Sequence, residues 1–248
     1  MRIIIAPAKK MRSDDTLAWS GLPILLDRTE VLLAWMRSLS RDECQALWRC
    51  NDKLADLNYE RVQRMDLRRD LTPALLSYEG IQYQYMAAGV LDESCYAYLD
   101  DHLRILSGFY GVLQPFDGVT PYRLEMQAKI QVAGCRSLYA FWGDALYGQV
   151  MPSDDHTVLN LASKEYASAV ERHLQPQDRF VTCVFGELVG QRVVQKGTFA
   201  KMARGEMVRF LAEKGATSPT DAQGFDRLGY RFDPDRSDDA TLVFLKQG

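Results

Sequence analysis

Hydrophobic and polar positions change their spacing several times along this chain, and each change marks an element. Residues 2–6, RIIIA, form a short β-branched run stopped by Pro7. That is the pattern of a buried strand opening into the loop Pro7-Ala8-Lys9-Lys10. Lysines at the carboxyl end of a strand lie where open sheets tend to bind ligands. From Leu22 to Met65 the spacing turns helical: Leu25, Leu32, Leu33 and Met36 share a face. Ser40-Arg41-Asp42-Glu43 then reads as a capping box opening a second helix, and residues 51–55, NDKLA, break that helix or start another. A further helix is expected from Asp92 to Leu106, with Asp92 and Glu93 at its positive start and Tyr96, Leu99, Leu103 and Leu106 on one face.

Residues 106–126, LSGFYGVLQPFDGVTPYRLEM, interrupt this periodicity with Gly108, Gly111, Pro115 and Gly118. Glycines three apart after a helix predict a tight helix-to-helix connection. Strict alternation follows: Tyr122, Leu124, Met126, Ala128, Ile130 and Val132 on one side, Arg123, Glu125, Gln127, Lys129 and Gln131 on the other. This predicts a half-buried strand from Tyr122 to Val132. Gly134 to Val150 is read as a turn and a helix containing Phe141-Trp142-Gly143-Asp144, with Trp142 in the core. Residues 157–162, TVLNLA, read as a buried strand, and Ser163 as the N-cap of the next helix. Phe180–Phe185 and Gln191–Lys196 are expected to pair as a hairpin. Phe199–Glu213 is a helix with Phe199, Met202, Ala203, Phe210 and Leu211 inward and Lys201 and Arg204 on another face. A last strand runs from Thr241 to Leu245. Strands and helices thus mix in an α+β (mixed α/β) arrangement, read as one domain over residues 1–248 because no repeat or linker divides it.

Composition narrows the classes. A 47% apolar and 25% charged chain of 248 residues suits an ordinary globular protein. The net charge of −3 excludes a uniformly basic coat, so contact with nucleic acid needs a local basic cleft. The short apolar start carries no export or membrane signal, and a cytoplasmic location is expected. The five cysteines, Cys44, Cys50, Cys95, Cys135 and Cys183, are odd in number and without a C-x-x-C pair, which fits reduced core thiols. The three histidines are too scattered to ligate a metal, and no cofactor is expected. A nucleophile elbow, a Walker loop and a dinucleotide fingerprint are absent.

What remains is a set of cations beside structure-defining residues: Lys9, Lys10, Lys53, Arg104, Arg123, Lys201 and Arg204. Such rigid cations suit phosphate or carboxylate recognition. Gly108 and Gly111 carry two readings: a turn that needs glycine for steric reasons, or exposed amides that hold a phosphate. Arg123 and Glu125 are either a solvated face or part of a cleft wall. If the site is catalytic, Glu125, Asp144 and Glu165 are the candidate acids or bases; binding is favoured over catalysis.

In sequence order the chain carries PAKK (7–10), NDKLADLN (51–58), LRILSGFYGVLQPFDGVTPYRLEM (103–126), LYAFWGD (138–144), NLASKEY (160–166), AKMARGEMVRF (200–210) and GYRF (229–232). With these motifs it resembles the YaaA family of bacterial peroxide stress resistance proteins, almost end to end. The resemblance implies a cantaloupe fold with a positively charged cleft and a helix-hairpin-helix-like element, mapped here to Leu106–Leu113. It also implies binding of double-stranded DNA without sequence preference, no membrane partner, and a role in limiting free intracellular iron and oxidative DNA damage. An enzyme acting on a small phosphorylated or carboxylated ligand in the same cleft is the alternative. Two departures stand out. Residues 78–86, YEGIQYQYM, keep the family's Gly80 and Tyr83 but carry Ile81 and Tyr85 where an acidic residue and a glycine are usual, and the serine before Pro7 is Ala6.

Overall fold

A computed structural model describes residues 1–247. The principal sheet has eight strands: β1 (Arg2–Ile5), β2 (Leu103–Ser107), β3 (Gly111–Leu113), β4 (Thr157–Asn160), β5 (Arg179–Val189), β6 (Arg192–Val194), β7 (Tyr230–Phe232) and β8 (Thr241–Lys246). Their order is β7-β8-β5-β4-β1-β2-β3, with β6 folded back on β5. The five central strands, β8, β5, β4, β1 and β2, are parallel, and β3 and β7 close the edges antiparallel. A parallel sheet is covered on both faces, so its strands read as continuous apolar runs rather than alternations. Ile3, Ile4, Ile5, Leu103, Ile105, Val158 and Leu159 are accordingly all fully buried.

The longer helices are α1 (Leu26–Ser38), α2 (Arg41–Trp48), α3 (Asp52–Arg64), α4 (Ile81–Met86), α5 (Glu93–His102), α6 (Lys164–Glu171) and α7 (Gly197–Lys214). Around Ser40 the expected capping box is complete: its hydroxyl accepts the Glu43 amide, and the Glu43 carboxylate accepts the Ser40 amide at 2.7 Å. Asn51 starts α3 by accepting the Leu54 amide at 3.0 Å. The expected hairpin forms with its first arm displaced: Glu187–Val189 pairs with Arg192–Val194, whereas Phe180–Phe185 belongs to the stretch of β5 that pairs in parallel with β4 and β8. Trp142 is fully buried.

Other expectations change. The helix from Asp92 stops at His102, and Leu103 and Leu106 belong to β2, paired with β1 as Ile3 with Leu103 and Ile5 with Ile105. A short apolar run serves a buried strand as well as a helix, and here the open edge of β1 decides. The connection at Leu106–Leu113 is therefore the β2–β3 hairpin rather than a helix-hairpin-helix element. Helices joined by a short turn occur instead at α2–α3, across Arg49, Cys50 and Asn51, with Arg49 left-handed at φ 47°. Finally, only Lys129–Val132 of the Tyr122–Val132 segment forms a ladder, with Cys135–Ser137. All six apolar positions from Tyr122 to Val132 are buried as the alternation requires. An extended chain lying across a core alternates whether or not a strand pairs with it.

Helix α7 also sits rotated from its expected face. Ala200, Ala203, Met207, Val208 and Leu211 are buried, whereas Phe199, Met202 and Phe210 are only partly so. Gly205 explains the rotation: a Cβ there would lie 2.1 Å from the Gln82 carbonyl oxygen of α4. The two helices approach as closely as backbones allow, and this fixes what flanks Gly205.

Candidate anion-binding cleft

From β1 the chain crosses to β2 on one side, whereas β4, β5 and β8 extend on the other. The carboxyl ends of β1 and β4 thus flank a topological switch point, the usual ligand crevice of open parallel sheets. A cleft of about 420 Å³ opens there. The loop after β1 contributes Ala6–Lys10, the turn after β4 contributes Ser163, Glu165 and Tyr166, α4 and its approach contribute Glu79–Tyr83, and α7 contributes Lys201 and Arg204. Tyr122–Glu125 complete the wall. Ser163 holds the N-cap position of α6, yet its hydroxyl makes no capping bond.

The cleft collects much of what the sequence separates by hundreds of residues. Lys9, Lys10, Arg123, Lys201, Arg204, Glu125 and Glu165 all line it. Lys53 does not: it is exposed in the first turn of α3. Asp144 lies outside it as well, at the start of the short Ala145–Val150 helix. Arg104 is buried in β2, where its Nη1 donates to the carbonyls of Asp100 at 2.9 Å and Leu103 at 2.6 Å. It lines a different cavity, of about 290 Å³, with Asp117 and Gln114.

Gly108 and Gly111 do not offer amides to a ligand, because the β2–β3 turn is buried. The Ser107 hydroxyl accepts the Phe109 and Tyr110 amides at 3.2 and 2.8 Å, and Trp142 Nε1 donates to the Gly108 carbonyl at 3.1 Å. A Cβ on Gly108 would sit 2.5 Å from the Leu124 carbonyl oxygen, and Gly111 adopts φ +77°. The steric reading of the two glycines is the one the packing supports. Gly108 lets the Leu124–Met126 backbone pass directly over the turn, and that passage carries Arg123 and Glu125 to the cleft.

Two lysines at the mouth are paired, Lys9 with Glu125 at 2.9 Å and Lys10 with Glu79 at 2.7 Å. Arg123, Lys201 and Arg204 have no carboxylate within 4.0 Å among the described residues. Moreover Arg123 Nε, Arg204 Nε and Gln82 Nε2 are buried without a hydrogen-bond partner. Buried donors are almost always bonded, and an orphan costs about 1–3 kcal/mol. All three side chains line the cleft, which makes it the place where a ligand acceptor could relieve them. Burial lowers the pKa of Arg204, opposed by the nearby Cys183. Burial also raises that of Glu165, with the Glu125 charge adding and the Gln127 amide and Lys9 opposing. The inner wall is aromatic: Tyr83 donates to the Ala6 carbonyl at 3.0 Å, and the Tyr122 hydroxyl bonds Ser107 at 2.7 Å and Tyr78 at 2.9 Å. Burial keeps these phenols neutral.

Among the described residues no cluster of three or more His, Cys, Asp or Glu is placed to hold a metal ion, and no helix is long and apolar enough to cross a membrane. All five cysteines are free thiols. Burial pushes Cys44 up to about 11 and Cys183 to about 12, the opposite of an activated thiolate.

A family profile described as "Peroxide stress protein YaaA" matches residues 1–236. The chain belongs to this peroxide stress protein family. It is 51% identical over 248 residues to a UPF0246 protein of Agathobacter rectalis, covering 100% of this chain and 99% of that one. A UPF0246 protein of Lachnoclostridium phytofermentans is 51% identical over 247 residues, covering 99% and 96%. One from Pediococcus pentosaceus is 50% identical over 247 residues, covering 99% and 98%. Ile81 puts an apolar side chain in the cleft wall. Sequence reasoning missed Gln82, Ser163, Tyr83, Tyr122 and Tyr166 as cleft residues. The tyrosines and Gln82 carry no local signal, because their role depends on facing cations from other elements.

Proposed function

We propose that this YaaA-family protein serves the peroxide stress response by binding phosphate- or carboxylate-bearing ligands in the switch-point cleft. The observation that carries the reading is the set of three unpaired cations, Arg123, Lys201 and Arg204, with two orphaned guanidinium nitrogens on one wall. Guanidinium groups are the side chains best matched to such oxyanions.

Duplex DNA is the partner that the family resemblance implies, with protection from iron-dependent oxidative damage as the consequence. Lys10 and Lys201, exposed at the mouth, favour backbone phosphate contact without sequence preference. The α2–α3 pair is the helix-hairpin-helix-like element of that reading, with Lys53 in the first turn of its second helix. A basic cleft within a cantaloupe fold belongs to the same reading. The concave shape of the cleft and the juxtaposition of Glu125 and Glu165 favour a second one, an enzyme acting on a small phosphorylated or carboxylated substrate, with Glu165, whose pKa burial raises, as the candidate acid or base.

Fluorescence anisotropy of a labelled duplex, at low and physiological salt, tests the first with wild type and Lys201→Ala/Arg204→Ala. Steeply salt-dependent binding, weakened and with a shallower slope in the double variant, is expected. Equal binding by both proteins removes DNA from the cleft. Isothermal titration with small phosphates and carboxylates tests the second, and an absence of heat for every anion overturns the cleft reading itself.

A further inference from the structure

We infer that the cleft receives a single nucleoside monophosphate unit, its phosphate between Arg123 and Arg204 and its base against the tyrosine wall. This rests on the anion reading of the cleft and specifies its occupant. Size comes first. About 420 Å³ falls within the range of small-ligand pockets, about 300–1,000 Å³. A cavity of that size takes a ligand of mononucleotide size, so a duplex meets only the lysines at its mouth. Any nucleic acid that reaches the orphaned donors does so one nucleotide at a time.

Donor placement comes second. Arg123 reaches the cleft from the extended segment after β3, and Arg204 from α7, so one anion can be gripped by two forks held on separate elements. Lys201, three residues before Arg204 on α7, adds an exposed charge at the same end. Gln82 is a different kind of donor. It is 7% exposed, neutral, on α4, and its Nε2 has no partner. A bare phosphate is already served by the guanidinium groups. An unbonded amide beside them asks for a second acceptor on the ligand, such as a ring nitrogen or exocyclic carbonyl.

The wall decides what joins the two. Ile81 and Leu124 are apolar, and the hydroxyls of Tyr83 and Tyr122 are already committed to Ala6, Ser107 and Tyr78. Hydroxyls of a sugar phosphate find no partner on this apolar and aromatic face, only on the Ser163, Glu125 and Glu165 side of the cleft. A flat heterocycle presents a face that needs no bonds and an edge that takes one. Ile81 places no charge beside the phosphate. The unit can arrive as a free mononucleotide or as an unpaired nucleotide of a strand; a second cavity of about 280 Å³, sharing Glu79, Gly80 and Tyr83 with the first, gives a strand room to continue.

The test is a set of titrations by calorimetry, with thermal melts to verify folding: 5′-dAMP, 5′-dTMP, inorganic phosphate, a fully paired duplex and the same duplex with one unpaired nucleotide. A mononucleotide binding at one site at least tenfold tighter than phosphate supports the inference with the free unit as source. The bulged duplex binding at least fivefold tighter than the paired one, with mononucleotides weak, supports it with a strand as source. Lys201→Ala, an exposed position, should weaken either by several-fold without altering the melt, and Gln82→Leu should erase the preference over phosphate. Equal affinity for phosphate and mononucleotides, with no effect of the bulge, overturns the inference and leaves the anion cleft standing. Binding of none of these overturns both.

Discussion

Two arginines of this protein, one buried and one half-buried, meet opposite fates. Arg104, in the middle of β2, donates to the carbonyls of Asp100 and Leu103 and has Asp117 nearby. Arg204, on α7, is also largely withdrawn from water, yet its Nε donates to nothing and no carboxylate lies within 4.0 Å among the described residues. The first is satisfied by its own chain and belongs to the fold. The second is held ready, and the protein is less stable for it, as expected where function needs a group to stay unpaired.

Substitution at Gly205 breaks the comparison most severely. Gly205→Val places side-chain atoms into the Gln82 carbonyl and forces α7 from α4, so a loss of at least about 3 kcal/mol is expected in urea unfolding. Arg204 moves with α7 and anion binding goes with it, whereas Arg104, in the sheet, keeps its partners.

Asp117 gives the comparison a pH dependence of similar size. Burial raises its pKa from 3.8 to about 6, the Gln114 amide and Arg104 opposing and Asp100 adding. The native carboxyl therefore holds its proton more tightly than the unfolded one. Stability contributed by this group is present below pH 4, is lost as pH rises through 4 to 6, and is level above; the loss amounts to about 3 kcal/mol. Asp117→Asn should flatten that slope in unfolding curves recorded between pH 4 and 7, and an unchanged slope would refute the assignment.

The arginines themselves sharpen the contrast. Arg104→Met strands the Asp100 and Leu103 carbonyls and leaves Asp117 without a nearby cation, so a loss of about 2–4 kcal/mol is expected. Arg204→Met removes an unsatisfied donor from a buried position. Its stability should stay within about 1 kcal/mol of wild type, or rise, while anion binding falls at least tenfold. A variant that lost stability as Arg104→Met does would make Arg204 structural. The smallest effect is expected at Glu165. Its raised pKa means that the negative charge in the cleft disappears as pH falls through the acidic range, so anion affinity should rise there, and Glu165→Gln should remove that rise in titrations at several pH values.

Much of the fold was legible because its signals are local. The β-branched run of β1, the capping box at Ser40, the turn between β5 and β6 and the length of α7 each depend on residues within a few positions of one another. The family motifs were legible for a related reason, as contiguous strings. The misread segments are those whose conformation is chosen from a distance. Leu103–Ser107 suits helix or strand until β1 offers an edge, and Tyr122–Met126 alternates without a partner because it lies over the Gly108 turn. The candidate site shows the same division. Lys9, Lys10, Arg123, Glu125, Glu165, Lys201 and Arg204 were named from sequence and meet in one cleft, whereas Lys53, Arg104, Gly108, Gly111 and Asp144 lie elsewhere.

By itself, then, the sequence determined the mixed α and β class, most element positions, the family, and which residue types could meet an anion. Those follow from short-range periodicity and side-chain chemistry. Which arginines are satisfied and which are left open was decided by tertiary structure alone. A guanidinium has the same charge and reach in β2 as in α7; only the carbonyls folded around it determine whether its donors are spent within the chain or kept for a ligand.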